Sequence, residues 1–455
     1  MAVLLLLAGA IPDVCGAQPT VESRYALAEA LHDDGLLLAA QELYLHVYAT
    51  HPDYGGALDR AWWLTEALDS RDRMQVIART TPPEGVRDRA QRLHAWTQGV
   101  NELADGEHFA ADIWLRHASQ LGEDRELTYL MGVNLALRGH APHALKQFGV
   151  AMGEGSERDE VSAVEARIID LAALGKGRVY YGLSRLDLAG ESYAAVPEDS
   201  EFWARARVEL AWVELRRERY DEVYPLVASI DRGVTPERRR DRLASRGRPV
   251  VWPDWQPDAD YVRAVALLGQ GRRRDVLIDA ERIADRWEPL AEELEHFVAE
   301  RADEPTEAYR QWLLGGMAGA GSRTPLVAKV LQRSDLSGLV RVLDRVEREL
   351  AILGSNRLPL EVTEREVATN LLLRRRAVAE QRAGEVLIDA LKKELEAVKS
   401  LLGDVELLAF EATDSQTGGY PPRSTPEWLP LPPGPSDHAF VDPAAVMAHI
   451  VGSGR

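Results

Sequence analysis

Residues 125–158 read RELTYLMGVNLALRGHAPHALKQFGVAMGEGSER. Within them Gly132, Ala144, Phe148 and Ala151 take small, small, aromatic and small positions, the spacing of a helical hairpin that repeats about every 34 residues. Small side chains let two helices cross closely, so Gly132 on the first helix is expected to meet Ala144 on the second. Phe148 and Tyr129 then fill the space beside the crossing, and Leu130, Met131 and Leu135 cover the seam toward the next hairpin.

The register recurs along the chain. Ala28, Ala40, Tyr44 and Val47 repeat it, and Pro52 closes that unit. Gly99, Ala111, Leu115 and Ala118 keep it, as do Gly177, Ala189, Tyr193 and Val196. Ala211, Val223, Val227 and Ile230 carry larger residues at the second position, and Ala264, Val276, Ala280 and Ile283 form a degraded copy. Ala57 to Thr81, with Trp62 and Trp63, reads as a shortened helix pair. The predicted fold class is all-α. These motifs resemble tetratricopeptide repeats, and the resemblance implies a solenoid of six or seven units over residues 21–290 within a domain spanning 18–314. It also implies a concave groove formed by the first helices, where Arg24, Leu31, Tyr129, Asn134, Tyr180 and Glu214 would hold a protein partner.

Composition agrees with one elongated body whose core is built between neighbours. The hydrophobic fraction is 45%, ample for packing. Fifty-four Lys and Arg stand against 73 Asp and Glu, a net charge of −19, which argues against general binding to nucleic acid or anionic lipid.

The first 17 residues are expected to be a signal peptide. Met1 to Ile11 is an apolar run too short to span a bilayer, and Cys15-Gly16-Ala17 offers small residues for cleavage before Gln18. Lys and Arg are missing ahead of the run. Cleavage would remove Cys15, the single cysteine. Lipidation of Cys15 is the alternative, although Pro12-Asp13-Val14 is a poor approach to it; a buried helix in a cytoplasmic protein is a third reading.

Three regions break the rhythm. An insert at 231–254 carries Arg232, Arg238, Arg239, Arg240, Arg242, Arg246 and Arg248 against only four carboxylates, and Trp252 lies in it with Trp255 just beyond. Such a loop either folds back onto the protein's own acidic surface, the favoured reading, or grips an acidic partner or glycan. Gly315 to Gly321 lacks the Lys-Ser/Thr ending of a phosphate loop and reads as a flexible joint. Within 315–412, Leu336, Leu339, Leu343, Val346, Leu350 and Leu353 form one heptad seam, and Ile388, Leu391, Leu395, Val398, Leu402 and Val405 form another. A break at Gly354 to Pro359 predicts a long, coiled-coil-like antiparallel hairpin within one chain. Pairing between two chains would look the same, and a monomer is favoured. Residues 413–455 are Pro- and Gly-rich and are expected to be a mostly disordered tail.

Tyr180-Tyr181-Gly182-Leu183, the run from Ser192 to Ser200, Glu209 to Trp212, Trp287 to Leu290 and the Glu-rich hairpin together resemble envelope tetratricopeptide-repeat proteins of myxobacteria, a group that includes gliding-motility components. The resemblance covers about residues 125–412 and implies a periplasmic or outer-membrane-associated scaffold. Catalytic signatures are absent from the sequence. Glu295-His296 lacks the second histidine of a zinc helix, His140 and His143 flank a turn, and Gly182 to Leu186 lacks the second glycine of a nucleophile elbow. The expectation is a non-enzymatic protein-binding adaptor with no cofactor, no metal, no nucleic-acid partner and no transmembrane span. The alternative is a regulatory, non-catalytic subunit of an envelope enzyme, for instance one acting on peptidoglycan.

Overall fold

The computed structural model describes residues 20–52, 54–68, 73, 88–122, 124–153, 162–200, 202–233, 256–312, 334–355, 358 and 360–414, all helical apart from their connections. The expected signal peptide, most of the basic insert with Arg238, Arg239, Arg240, Trp252 and Trp255, the Gly315 joint and the tail from 415 lie outside the described residues.

Six helix pairs carry the predicted register. They are α1 (Val21–Asp33) with α2 (Leu37–Thr50), α4 (Asp88–Ala104) with α5 (His108–Leu121), α6 (Arg125–Leu137) with α7 (Ala141–Met152), α8 (Ala163–Gly182) with α9 (Leu186–Ala194), α10 (Trp203–Arg216) with α11 (Tyr220–Gly233), and α12 (Gln256–Gly269) with α13 (Arg273–Arg301). From α4 onward each pair packs on the next. α3 (Gly55–Ala67) follows the first pair, and its expected partner helix lies outside the described residues.

Side-chain caps start several first helices. Thr20, Asp124 and Ser162 accept from the backbone N–H three residues on, and Ser162 with Glu165 completes a capping box. The second helices begin differently. Seven residues after each small residue of the register stands one with positive φ: Gly35, Gly106, Gly139, Ser184, Glu218 and Gly271, at φ of 79°, 78°, 75°, 58°, 59° and 72°. The N–H of the following residue bonds back five positions, from Leu36 to the Leu31 carbonyl at 2.8 Å and from Arg272 to that of Leu267 at 2.9 Å, with the other four pairs alike. This is a Schellman motif in all six copies. Glu218 is exposed yet held in the left-handed region, which costs a side-chain-bearing residue about 1 kcal/mol or more. Glu218→Gly is therefore expected to raise stability by about 1 kcal/mol, measured by urea denaturation.

The crossings place a bulky side chain against the small position. A Cβ added to Gly132 would lie 2.9 Å from the Phe148 ring, so Gly132 makes room for Phe148, and Ala144 is buried. The same holds for Gly99 under Leu115 at 2.8 Å and Gly177 under Tyr193 at 2.5 Å. Gly175, on the next pair, receives Phe148 from its other side at 2.8 Å. In these three pairs a bulky residue on the second helix enters a hole left by glycine sixteen positions earlier.

α14 (Pro305–Arg310), α15 (Ser334–Gly354) and α16 (Val362–Asp414) are the remaining described helices. α16 has 53 residues, about 80 Å at 1.5 Å per residue. α15 and α16 form the predicted antiparallel hairpin in a different register from two facing heptad seams. The short connection places the beginning of α16 opposite the end of α15, and Arg376 reaches Glu347 at 2.9 Å. Leu336, Leu339, Leu343, Val346 and Leu353 accordingly share a core with Ala368, Leu372, Ala379, Ala383 and Leu387. By Leu391 the α15 helix has run out, and the rest of the second seam turns to α13 and α12: Val398 and Val405 join the core that holds Tyr261, Trp287 and Ala291, with Lys399 bonded to Glu295 at 2.8 Å.

Two cores result. One contains the five helix pairs from α4 to α13 and the end of α16; the other contains α1–α3, α15 and the first half of α16. The N-terminal pair is thus closed onto the C-terminal hairpin. Glu349 of α15 accepts from the Leu38 and Ala39 N–H groups at 3.0 and 3.1 Å, capping α2 where no side chain of its own helix does. On the opposite side Glu42 accepts from Arg73 at 2.7 and 2.8 Å and pairs with the fully buried Arg375 of α16 at 3.3 Å.

Candidate functional site

The six residues assigned to a groove separate into two groups. Leu31, Tyr129, Asn134 and Glu214 are buried, so they are not groove side chains in this structure. Leu31 and Glu214 occupy the position whose carbonyl closes the Schellman turn, Asn134 donates to the His108 carbonyl at 3.1 Å, and Glu214 is bonded to Arg217 at 2.6 Å. Arg24 and Tyr180 are half-buried. Arg24 bonds to His46 of the neighbouring helix at 3.2 Å.

Tyr129 belongs to a charged cluster that sequence reasoning did not assemble. Arg178 of α8 places Nε 2.9 and 3.1 Å from the two Glu209 oxygens of α10 and adds a second bond from Nη2, while Arg205 Nε lies 3.2 Å from the same carboxylate. Tyr193 is the hydroxyl partner of Glu209. Burial disfavours the Glu209 anion, but Arg178 and Arg205 outweigh it and hold the carboxyl below its usual range. Burial, then Arg178, lowers Arg205 to about 10. Burial pushes Tyr129 and Tyr193 up. Apart from Tyr193 on α9, these groups lie on the first helices of successive pairs, α6, α8 and α10, so the cluster ties one pair to the next.

A second cluster joins the two helices of one pair, α12 and α13. Asp260 is fully buried, accepts from Arg282 at 2.9 Å and Arg286 at 3.0 Å, and has Arg263 at 3.7 Å; Arg263 also bonds Asp279 at 2.7 Å. Both clusters have the chemistry of fixed inter-helix ion pairs. Among the described residues no group of His, Cys, Asp and Glu is arranged to hold a metal.

Among the described residues, the exposed apolar side chains outside the predicted set include two neighbouring pairs. Phe109 and Ile113, one turn apart on α5, are 74% and 68% exposed, with the Arg138 guanidinium 4.4 Å over the Phe109 ring. Leu407 and Phe410 point outward from α16, Phe410 at 65%. The four-residue spacing of Phe109 and Ile113 on a face away from the Ala111, Leu115, Ala118 register is the signal that could have found the first of them. No described helix is long and apolar enough to cross a membrane. No protein-family model and no curated protein matches the chain.

Proposed function

We propose that the protein is a non-enzymatic, tetratricopeptide-like protein-binding scaffold of a bacterial cell envelope, exported by its N-terminal segment and contributing to an envelope or motility assembly. The observation that carries the reading is the sixfold repetition of one helix pair with the same turn, which produces a long, rigid surface and spends its buried charges on holding neighbours together. The Phe109–Ile113 surface supplies an apolar contact for a partner, because exposed aromatic and branched side chains in one patch are characteristic of binding surfaces.

The test is co-purification from the native envelope by the wild-type protein and by a Phe109→Asp, Ile113→Asp variant, with quantitative mass spectrometry. The expected result is one or more envelope proteins enriched by the wild type and reduced at least tenfold by the variant, whose helix content stays unchanged. Equal enrichment removes this surface from the reading. Recovery of the protein solely in the cytoplasm, with Met1 intact, removes the envelope assignment.

A further inference from the structure

His46 stands where three helices meet. It is buried on α2, with Nη1 of Arg24 on α1 3.2 Å from its Nε2, and the charge of Arg374 on α16 also acts on the ring. A guanidinium has only donors, so Nε2 accepts this bond and the ring is neutral in the closed protein. We propose that His46 is the trigger of an acid-released clasp between α1 and α2, its protonation replacing the Arg24 bond with a repulsive contact between cations and freeing α1 from α2.

The surrounding charges favour release over compensation. Besides Arg24 and Arg374, His51 faces the ring from the end of α2. The carboxylate one turn back, Glu42, is bonded to Arg73 and Arg375. From α15, Glu349 holds the far end of α2, and burial raises it above the ordinary carboxylate range. The sign there is opposite: a raised acid binds its proton more readily in the closed form, so its titration strengthens closure as pH falls. Release by acid therefore belongs to the histidine.

Burial, then Arg24 and Arg374, lowers His46 to about 4 from an ordinary 6.5. Between these values the released form takes up a proton that the closed form refuses. Closure weakens as pH falls through this window and is constant above about pH 7. From pH 7 to pH 4 the shift reaches about a hundredfold for a single site.

Hydrogen exchange on the full chain, corrected for intrinsic rates, reads this directly. Amides of α1 and α2 are expected to lose up to about a hundredfold in protection between pH 7 and pH 4 while those of α6 to α9 keep theirs. His46→Gln, which offers Arg24 a neutral acceptor at every pH, should abolish the loss. An equal loss in His46→Gln, or a simultaneous loss in α6 to α9, overturns the proposal. Should that variant fail to fold, imidazole titration by NMR in the wild type decides: a ring neutral below pH 5 in the closed protein supports the clasp, and one titrating near 6.5 rejects it.

Discussion

Gly384→Ala is expected to destabilise the protein by about 3 kcal/mol, an unusually large effect for a single methyl group on a helix. Alanine is the better helix former by about 1 kcal/mol, so glycine in the interior of α16 has a tertiary cause. That cause is α14. A Cβ on Gly384 would fall on the backbone carbonyl of Pro305, the first residue of α14. A side chain could rotate away; this carbonyl cannot, because Pro305 follows a short turn from α13 and Arg310, at the other end of α14, bonds Glu380 of α16 at 2.7 Å. The methyl group must therefore lift α14 or bend α16. Gly403→Ala supplies the control, since nothing lies within 4 Å of a Cβ there, and it is expected to gain up to about 1 kcal/mol. Chemical denaturation compares the two. The Phe297–Trp312 contact, with ring centroids 4.8 Å apart, provides a near-ultraviolet signal that Gly384→Ala should weaken. Equal stabilities for the two variants would remove the assigned close approach.

The helix pairs were legible in the sequence because their cause is local. A small residue and a bulkier one sixteen positions later meet when a short turn joins two helices; five of the six copies keep that spacing, the last having Ala280, and all six have the same turn. The turn itself left a signal, glycine seven residues after the small position in four of six copies, obscured by Ser184 and Glu218. That Phe148 fills the space beside its own crossing was legible too. Its second contact, with Gly175 of the next pair, was not, because that glycine lies outside the repeated register. The groove residues were not separable by the repeat alone: Leu31, Tyr180 and Glu214 share one turn position, yet Leu31 and Glu214 are buried and Tyr180 is half-buried. The closure was beyond the reach of periodicity. Leu38 and Glu349 meet across 311 residues, and neither the charge of Glu349 nor the missing side-chain cap on α2 identifies its partner without the other.

Val398→Asp combined with Val405→Asp is expected to detach the second half of α16 and to cost on the order of 5 kcal/mol or more. The heptad pattern alone would place these residues against α15, whose loss would melt the hairpin and leave the helix pairs untouched. The structure assigns a different consequence. Both valines are buried in the core formed by α4 to α13, alongside Tyr261 and Trp287, whereas α15 packs on residues before Leu391. Each aspartate removes a branched apolar contact and brings a carboxylate into that core. The cost of burying these charges then favours exposing this half of the helix. Trp287 should become accessible, seen as a red-shifted and more readily quenched emission, and amides of α12 and α13 should exchange faster. The N-terminal pair, α15 and residues 368–387 should retain their protection because they belong to the other core. Leu407→Asp on the exposed face of the same helix is the matched control, expected within about 0.5 kcal/mol of wild type. If the double variant instead melts α15 first and leaves Trp287 covered, the seam pairs within the hairpin as its heptads suggest, and the closing role of α16 is lost.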